Sequence, residues 1–305
     1  MSLPHGERNV FRIERLKDKV GNRSNASAEI EFDGTVGILL GEPGRGVRTI
    51  IEMVQRTRLD CVLGTAAGMR QSVAEAVWHA RQRRAFGRLL VEQPAMTAVL
   101  ADLALESEAA MLVGLRLAQA FEADATDTDL AFRRLATPVT KYWVCKRGPQ
   151  HAYEAMECLG GNGYIESFPL GRRYREQPVM AIWEGSGNVI ALDVLRALSR
   201  DPDSAAALRD ELEAANGAHR LLDAHTRRTL ALLHEVGGAD VDAAQAQARR
   251  LSEALALALQ ASVMARFAPT ADAEAFIGAR LGEDRSWQYG TLPRGTDAAA
   301  IVARH

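Results

Sequence analysis

Residues 96–121, MTAVLADLALESEAAMLVGLRLAQAF, decide the fold class of this chain. Apolar or small side chains recur there at three- and four-residue steps, at Met96, Leu100, Leu103, Ser107, Met111, Gly114, Leu117 and Phe121. That spacing places all of them on one face of an α-helix. The segment therefore predicts a long helix with one face packed in a core.

The same helical period recurs on both sides of this segment. It predicts a helix whose stripe runs from Val47 to Thr65, a further one from about Gln71 to Arg84, and one after Asn188 that ends before Asp201-Pro202. Thr137-Pro138 is typical of a helix start, so we expect a helix from there to Leu159, bent near Gly148-Pro149. Residues 122–129, EADATDTD, then form an acidic connector without a cap. Short links between long helices predict an antiparallel four-helix bundle over residues 43–200.

The first 42 residues have a different pattern. Val10–Arg15 and Ala28–Phe32 alternate apolar and polar side chains, and Thr35–Leu40 is a short apolar run. Gly21-Asn22 and Asp33-Gly34 supply turn residues between them. Two or three strands are too few to form a core of their own. They are either a small sheet packed on the helices or part of a divided β-domain.

Residues 201–305 form a third block. It predicts helices at about 204–232, 241–266 and 270–281, and it contains 11 Arg, no Lys and 15 Asp plus Glu. A net charge near −4 disfavours DNA as a partner. Four arginines could still form a local basic face, namely Arg227, Arg228, Arg249 and Arg250.

Composition narrows the class of protein. The 305 residues are 47% hydrophobic and 25% charged, with a formal net charge of −2, as expected for a globular protein. Cys61, Cys145 and Cys158 have no CxxC spacing, which argues against a disulfide framework and a zinc site. No apolar run approaches the roughly 18 residues of a membrane span, and the start lacks a secretory signal. We expect a cytoplasmic protein that binds no metal.

Three glycine-containing segments could carry chemistry. In RRAFGRLLVEQP, residues 83–94, a Phe-Gly pair among arginines is either a phosphate-binding loop or a solvated helix–helix turn. In ECLGGNGYIESFP, residues 157–169, three glycines allow a ligand to touch the backbone, or they simply end a helix. In IWEGSGNV, residues 182–189, Ser186 or Asn188 can cap the next helix. Glu184 is then either a catalytic carboxylate beside the apolar wall of Trp183 or a residue that complements the helix dipole.

Taken together, these segments resemble the C-terminal half of the acyl-CoA dehydrogenase family. RRAFGRLL, LGGNGY and WEGSGNV resemble its signature elements in the right order, and the match runs from about Phe11 to Leu198. KDKVGNRSNASAEIEFDG, residues 17–34, is similar to the last strands of its β-domain, and GEPGRGVRTIIEMVQRTR, residues 41–58, to the start of its helical domain. AMECLGGNGY and the helical extension are most similar to the alkylation-response branch.

The resemblance implies a mainly α fold: residues 1–42 as the remnant of a β-domain, 43–200 as a four-helix bundle, and 201–305 as a helical extension. It implies FAD as cofactor and an acyl-CoA thioester as substrate. Glu184 would take the α-proton while the β-hydride goes to the flavin. A minority of the family carries this base on an earlier helix, where this chain has Thr57, which cannot serve. Electron-transferring flavoprotein or another acceptor, and a homo-oligomeric state (dimer or tetramer), are also implied.

The resemblance also implies roles for further residues. Those expected at the cofactor are Arg83, Phe86, Leu90, Gln93, Glu157, Gly160, Gly161, Ser186 and Asn188. Arg83 would reach the diphosphate of a neighbouring subunit's FAD, and Arg58 and Trp183 would lie on the substrate side. Three positions depart from the family pattern: Glu157 stands where Gln is usual, Gln55 replaces an acid, and Trp183 replaces Tyr. The bulkier Trp183 should reshape the acyl pocket.

Two other functions remain open on this evidence. One is an alkylation-response flavoprotein with a DNA-associated role and vestigial dehydrogenase activity, and the other is a helical assembly module without cofactor. The family's N-terminal helical domain and first β-strands would precede the residues seen here. The chain would then be a fragment, a shortened product or half of a complex, and we expect it alone to be a poor dehydrogenase.

Overall fold

The structure, a computed structural model, describes residues 3, 5–283, 285 and 287–305. The chain divides into two compact units, residues 1–54 and 55–305. Most of the described residues are helical, which confirms the predicted fold class. None of the described helices combines the length and apolar character that a membrane span needs.

The first unit contains a two-stranded antiparallel sheet. Strands β1 (Arg12–Leu16) and β2 (Ala28–Glu31) pair with Arg12 opposite Glu31 and Leu16 opposite Ala28. Of the two or three strands predicted, two are present, and residues 35–40, all of them described, form none. Instead the Asn9 amide donates to the Val36 carbonyl at 2.8 Å and its oxygen accepts from the Val36 N–H at 3.1 Å. The Asn9 side chain thus forms the two backbone hydrogen bonds that a neighbouring strand would otherwise form with Val36.

As expected for so small a sheet, the first unit leaves its large apolar side chains in solvent. Those more than half exposed between residues 10 and 40 are Val10, Ile13, Leu16, Val20, Phe32, Val36, Ile38, Leu39 and Leu40. So many exposed large apolar side chains in one short segment are unusual on a protein that works alone.

The helices follow one another with short links. They are α1 (Gly46–Gln82), α2 (Pro94–Gln119), α3 (Asp127–Glu157), α4 (Leu170–Met180), α5 (Gly187–Arg200), α6 (Pro202–Glu213), α7 (Arg220–Gly238), α8 (Val241–Phe267), α9 (Thr270–Leu281) and α10 (Ala298–Ala303). Single-turn 3₁₀ helices lie at Leu90–Glu92 and Gly160–Tyr164. Two very short strands, β3 (Arg84–Ala85) and β4 (Arg88–Leu89), form a hairpin after α1.

Two predicted helix boundaries are wrong. The helices expected at 47–65 and 71–84 are one helix, α1, because residues 66–70 contain no breaker stronger than Gly68. Helix α3 begins before Thr137-Pro138, and the connector at 122–129 does supply a cap. The Thr126 side chain accepts from the Asp129 N–H, and the Asp129 carboxylate accepts from the Thr126 N–H, which is a capping box.

The extension shares a compact unit with the preceding helices. Its α8 packs on α2, α3 and α5, and α6 packs on α3. The helix predicted at 204–232 is two helices, α6 and α7, which part where Gly217 adopts a φ of +86°. The predictions at 241–266 and 270–281 match α8 and α9 closely, whereas α10 was not predicted.

Candidate functional site

The segment between α4 and α5 contains the predicted base. Glu184 has a φ of +58° and Gly185 one of +112°. The left-handed conformation disfavours a residue with a side chain by roughly 1–2 kcal/mol, so it persists only where the surroundings impose it. We call residues 182–187 the base loop.

Two buried cations impose this conformation by holding three successive carbonyl groups. The Lys141 Nζ donates to the carbonyls of Trp183 at 2.8 Å and Gly185 at 2.7 Å. The Arg58 Nε donates to the carbonyl of Glu184 itself at 3.1 Å. Hydrogen bonds from charged donors are among the stronger ones in proteins, and here they fix the backbone on both sides of the carboxylate.

The two cations are themselves fixed. Lys141 on α3 is only 1% exposed, and burial lowers its pKa. Arg58 on α1 forms a buried ion pair with Asp193 on α5, with 2.5 Å between Nη1 and Oδ2. Burial opposes ionisation of Asp193, but the hydrogen bond from Arg58 and the charges of Arg134 and Arg58 outweigh it, so its pKa is lowered. Three helices, α1, α3 and α5, therefore hold the base loop.

The side chain of Glu184 is left unpaired by this arrangement. Its carboxylate makes no hydrogen bond or ion pair with any described residue, and the residue is half-buried. Trp183 beside it is 40% exposed and donates a hydrogen bond to the buried thiol of Cys61. Burial raises the pKa of that thiol, which keeps it neutral. A carboxylate without an ion-pair partner thus lies beside Trp183 in the base loop.

Helix α5 begins at Gly187, the last residue of the base loop. Ser186 occupies its N-cap position, yet its hydroxyl accepts no hydrogen bond from the described helix backbone. Asn188 uses its Oδ1 to accept from Arg249 Nη1 of the extension at 3.3 Å. A Cβ at Gly187 would lie 2.7 Å from the Cε of Lys146, so the glycine lets this lysine approach the helix start.

The segment at 83–94 is a tight hairpin. Phe86 and Gly87 at its tip both have positive φ, +52° and +80°, which is the signature of a type I′ turn. The Phe86 ring is 98% exposed, and Arg83 is exposed and forms no ion pair with a described residue. The sequence predicted the interruption of the helix here but not the two short strands.

Leu90 and Gln93 lie at the base of this hairpin. The Leu90 N–H donates to the Arg83 carbonyl at 2.8 Å, and the Gln93 Nε2 donates to the Ala85 carbonyl at 3.1 Å. Gln93 is also the N-cap residue of α2, before Pro94. These bonds make the hairpin rigid while its arginines and Phe86 remain free on its surface.

The segment at the end of α3, residues 157–169, contains two kinds of glycine, and we call it the glycine segment. A Cβ on Gly163 would lie 2.0 Å from the Met156 carbonyl oxygen, so this position admits only glycine for packing reasons. A Cβ on Gly160 or Gly161 would meet no atom within 4 Å, and Gly160 has a φ of +56°. The two glycines thus present bare, accessible backbone, with the exposed Glu157 at the end of α3 close by in sequence.

The structure brings some of the predicted residues together and keeps others apart. Arg58, Trp183 and Glu184 meet at the base loop although 126 residues separate the first from the last. No hydrogen bond or ion pair among the described residues joins this loop to the hairpin or to the glycine segment. Two important residues, Lys141 and Asp193, were missed. The signal for Lys141 was its rarity, since it is one of four lysines in an arginine-rich chain.

Comparison with known proteins identifies the family. Residues 44–199 match the acyl-CoA dehydrogenase C-terminal domain. The putative acyl-CoA dehydrogenase AidB of Escherichia coli K12 is 47% identical over 226 residues, which cover 74% of this chain and 42% of that protein. The chain thus spans less than half the length of this relative.

Solved structures show the same fold. Caenorhabditis elegans ACDH-11, solved in complex with C11-CoA, is 24% identical with a TM-score of 0.83, over 94% of this chain and 53% of that one. An acyl-CoA dehydrogenase of Bacillus anthracis, solved with FAD, is 17% identical with a TM-score of 0.71, over 90% and 51% of the two chains. The chain therefore belongs to the acyl-CoA dehydrogenase family, as its signature segments predicted, and contains the family's C-terminal domain.

Proposed function

We propose that this chain carries the catalytic carboxylate of a FAD-dependent acyl-CoA dehydrogenase, and that Glu184 is the base. One observation supports this most directly: Glu184 is held in a left-handed conformation by Arg58 and Lys141 while its carboxylate stays unpaired. Strain that the surroundings over-determine is typical of functional positions.

The hydrogen bonds explain how a carboxylate between two cations can still act as a base. Arg58 and Lys141 donate to backbone carbonyls, and neither forms an ion pair with the carboxylate. Trp183, the neighbouring residue, contributes an aromatic side chain to the same loop. A carboxylate in this position can take the α-proton of a thioester and hold it at one of its oxygens.

The residues predicted at the cofactor suit a molecule with an anionic diphosphate. Arg83 offers an unpaired guanidinium, Gly160 and Gly161 offer bare backbone, and Ser186 offers a free hydroxyl at a helix N-terminus. FAD, when bound, supplies the acceptor for the β-hydride. We propose that Ser186 and Asn188 contact it beside the base loop, and that Arg83, Phe86, Leu90 and Gln93, with Glu157 and the two glycines, contact it from a neighbouring subunit.

An acyl-CoA thioester is the substrate class that we propose, in keeping with the C11-CoA bound to ACDH-11. Trp183 forms a wall beside the base and would limit the shape of the acyl group. Arg58 was predicted on the substrate side. Its bonds to Asp193 and to the Glu184 carbonyl favour a positioning role, in which it acts on the substrate through the base loop.

The proposal is tested by flavin reduction. In the flavin-loaded protein, Glu184→Gln should retain FAD but lose the bleaching of the flavin by acyl-CoA thioesters under anaerobic conditions, because an amide cannot accept the proton. Glu122→Gln, at an exposed site in the connector before α3, is the matched control and should bleach normally. Undiminished bleaching in Glu184→Gln would exclude this residue as the base.

The cofactor assignment has its own test. Arg83→Ala should weaken FAD binding about 10- to 150-fold, the range for losing one charge-assisted contact, and should shift the oligomer towards smaller species. Arg84→Ala, in the first strand of the same hairpin, is the control. Unchanged FAD affinity and unchanged oligomeric state in Arg83→Ala would disprove the cross-subunit contact.

A further inference from the structure

The extension contains a cavity that the proposed dehydrogenase function does not use. It is a half-open recess lined by helices α7 and α8 and the end of α9, and Tyr142 of α3 contributes to one wall. Its volume is ≈ 720 Å³, which falls within the roughly 300–1,000 Å³ of small-molecule sites. The predicted cofactor residues of the hairpin and of the glycine segment do not line it.

The lining of this cavity is rich in arginine. Four guanidinium groups reach it, from Arg228, Arg249, Arg250 and Arg285. Two carboxylates, Glu253 and Glu283, also line it, so cations outnumber anions by two. None of the four arginines forms an ion pair with a described residue. Unpaired guanidinium groups that converge on one recess create a positive potential there.

The inner surface of the cavity adds unsatisfied polar groups. Thr229 is 1% exposed, and its hydroxyl has no hydrogen-bond partner among the described residues. The Tyr142 hydroxyl accepts from Arg249 Nε at 3.2 Å, which leaves its own proton available to donate. A buried hydroxyl without a partner costs about 1–3 kcal/mol, which a ligand oxygen in the cavity would relieve.

The imidazole of His225 reports the same positive potential. Burial lowers its pKa, and the charges of Arg228 and Arg285 lower it further, while the bond to the Ala254 carbonyl opposes them. In its neutral form the ring donates from Nε2 to that carbonyl at 3.0 Å. The arginine charges are therefore felt at the wall of the cavity and not only in solvent.

We propose that this cavity binds a phosphorylated small molecule, with its phosphate groups against Arg228 and Arg250 and a phosphate oxygen accepting from Thr229. Guanidinium groups match phosphate oxygens in pairs, and hydroxyl donors complete such sites. The recess favours a compact ligand over duplex DNA, whose phosphates lie on a broad outer surface. The net charge near −4 of residues 201–305 also opposes extensive contact with DNA.

The site would be coupled to the base loop through Arg249. This arginine lines the cavity and also donates to Asn188 Oδ1 beside the start of α5. Because it belongs to both places, it is unsuitable as a test position. Arg228 and Arg250 are exposed side chains with no such second contact among the described residues, so their substitution leaves the helix packing intact.

The test is titration calorimetry of the full chain, loaded with FAD, with pyrophosphate as the probe. Arg228→Gln with Arg250→Gln should weaken binding at least about tenfold, and Thr229→Val should weaken it several-fold without any change of charge. Arg227→Gln, next to Arg228 on α7 but outside the lining, is the matched control and should bind as the parent does. Thermal melting of each variant verifies folding.

Three results would overturn the proposal. One is the absence of pyrophosphate binding to the parent protein. Another is an equal loss in Arg227→Gln, which would assign the binding to general surface charge. The third is a short duplex DNA that displaces pyrophosphate, which would make the arginines part of a nucleic-acid surface.

Discussion

The base loop and the hairpin use the same unusual backbone conformation in opposite surroundings. Glu184 and Phe86 are two non-glycine residues with positive φ, at +58° and +52°. Buried cations hold the carbonyl of the first and those of its neighbours, whereas the second lies 98% exposed at the tip of a turn. The protein itself fixes what surrounds Glu184, while the Phe86 side chain is exposed to solvent.

This difference separates two ways of building a site. The base loop depends on residues from α1, α3 and α5, so any damage to it should appear in the stability of the isolated protein. The hairpin is closed by its own backbone, so its side chains should affect binding more than folding. Substitutions in the base loop should therefore change the stability of the protein more than substitutions in the hairpin do.

The largest effect is expected from Arg58→Met. It removes the ion pair with Asp193, which is then left buried with only the more distant Arg134 and Arg196, each at 3.4 Å. Breaking a buried pair should lower the free energy of unfolding by about 3 kcal/mol. Chemical denaturation measures this loss. Arg56→Met, two residues earlier on α1 and exposed, is the control. It loses only a cation–π contact with Phe121 and should lower the free energy of unfolding by less than about 1 kcal/mol. Equal losses would mean that the ion pair does not hold the loop.

A smaller effect is expected from Gly185→Ala. The new Cβ would lie 3.0 Å from the Ile190 Cδ1 in a backbone with a φ of +112°, so we expect a loss of about 2 kcal/mol. Gly187→Ala is the matched control within the same loop. Its Cβ would clash only with the flexible end of Lys146, which can swing aside, and would make an ordinary contact with Tyr142 at 3.9 Å, so the loss should stay below about 1 kcal/mol. The reverse order in thermal melting would show that backbone strain does not govern the base loop.

The smallest change in stability, and of opposite sign, is expected from Phe86→Asn. Asparagine before glycine is favoured in a type I′ turn, so the free energy of unfolding should rise by up to about 1 kcal/mol. FAD affinity should fall at the same time, because the exposed ring is lost from the proposed contact. Denaturation and flavin titration on one sample measure both. A protein that is destabilised and keeps its FAD affinity would remove the distinction between the two segments.

The sequence predicted the periodic features of the molecule and missed the long-range ones. Seven of the eight positions at helical spacing lie in α2, and the glycine-bearing segments locate every loop of the candidate site. The start of α3 was placed at Thr137-Pro138 because proline usually opens helices, yet here the capping box at Thr126 is the signal that wins. Lys141 is 42 residues from the Trp183 carbonyl that it binds, and no local pattern specifies such a contact.

The strands show the same limit. Ala28–Phe32 was predicted closely, since alternation is a local property, and β2 occupies Ala28–Glu31. Thr35–Leu40 has the composition of a strand but no partner in the described first unit, so Asn9 takes up part of its backbone instead. Strand pairing depends on which segment of the protein lies beside the strand, and amino-acid composition does not specify that segment.

The central claim, that the protein itself sets the base loop while the hairpin awaits a partner, is tested most directly by crystal structures of the protein without and with FAD. We predict that the φ of Glu184 stays near +58° and that the bonds from Lys141 to Trp183 and Gly185 are present in both structures. The side chains of Arg83 and Phe86 should become ordered, and acquire contacts, only when FAD is bound. A base loop that adopts its left-handed conformation only in the presence of FAD would contradict the claim.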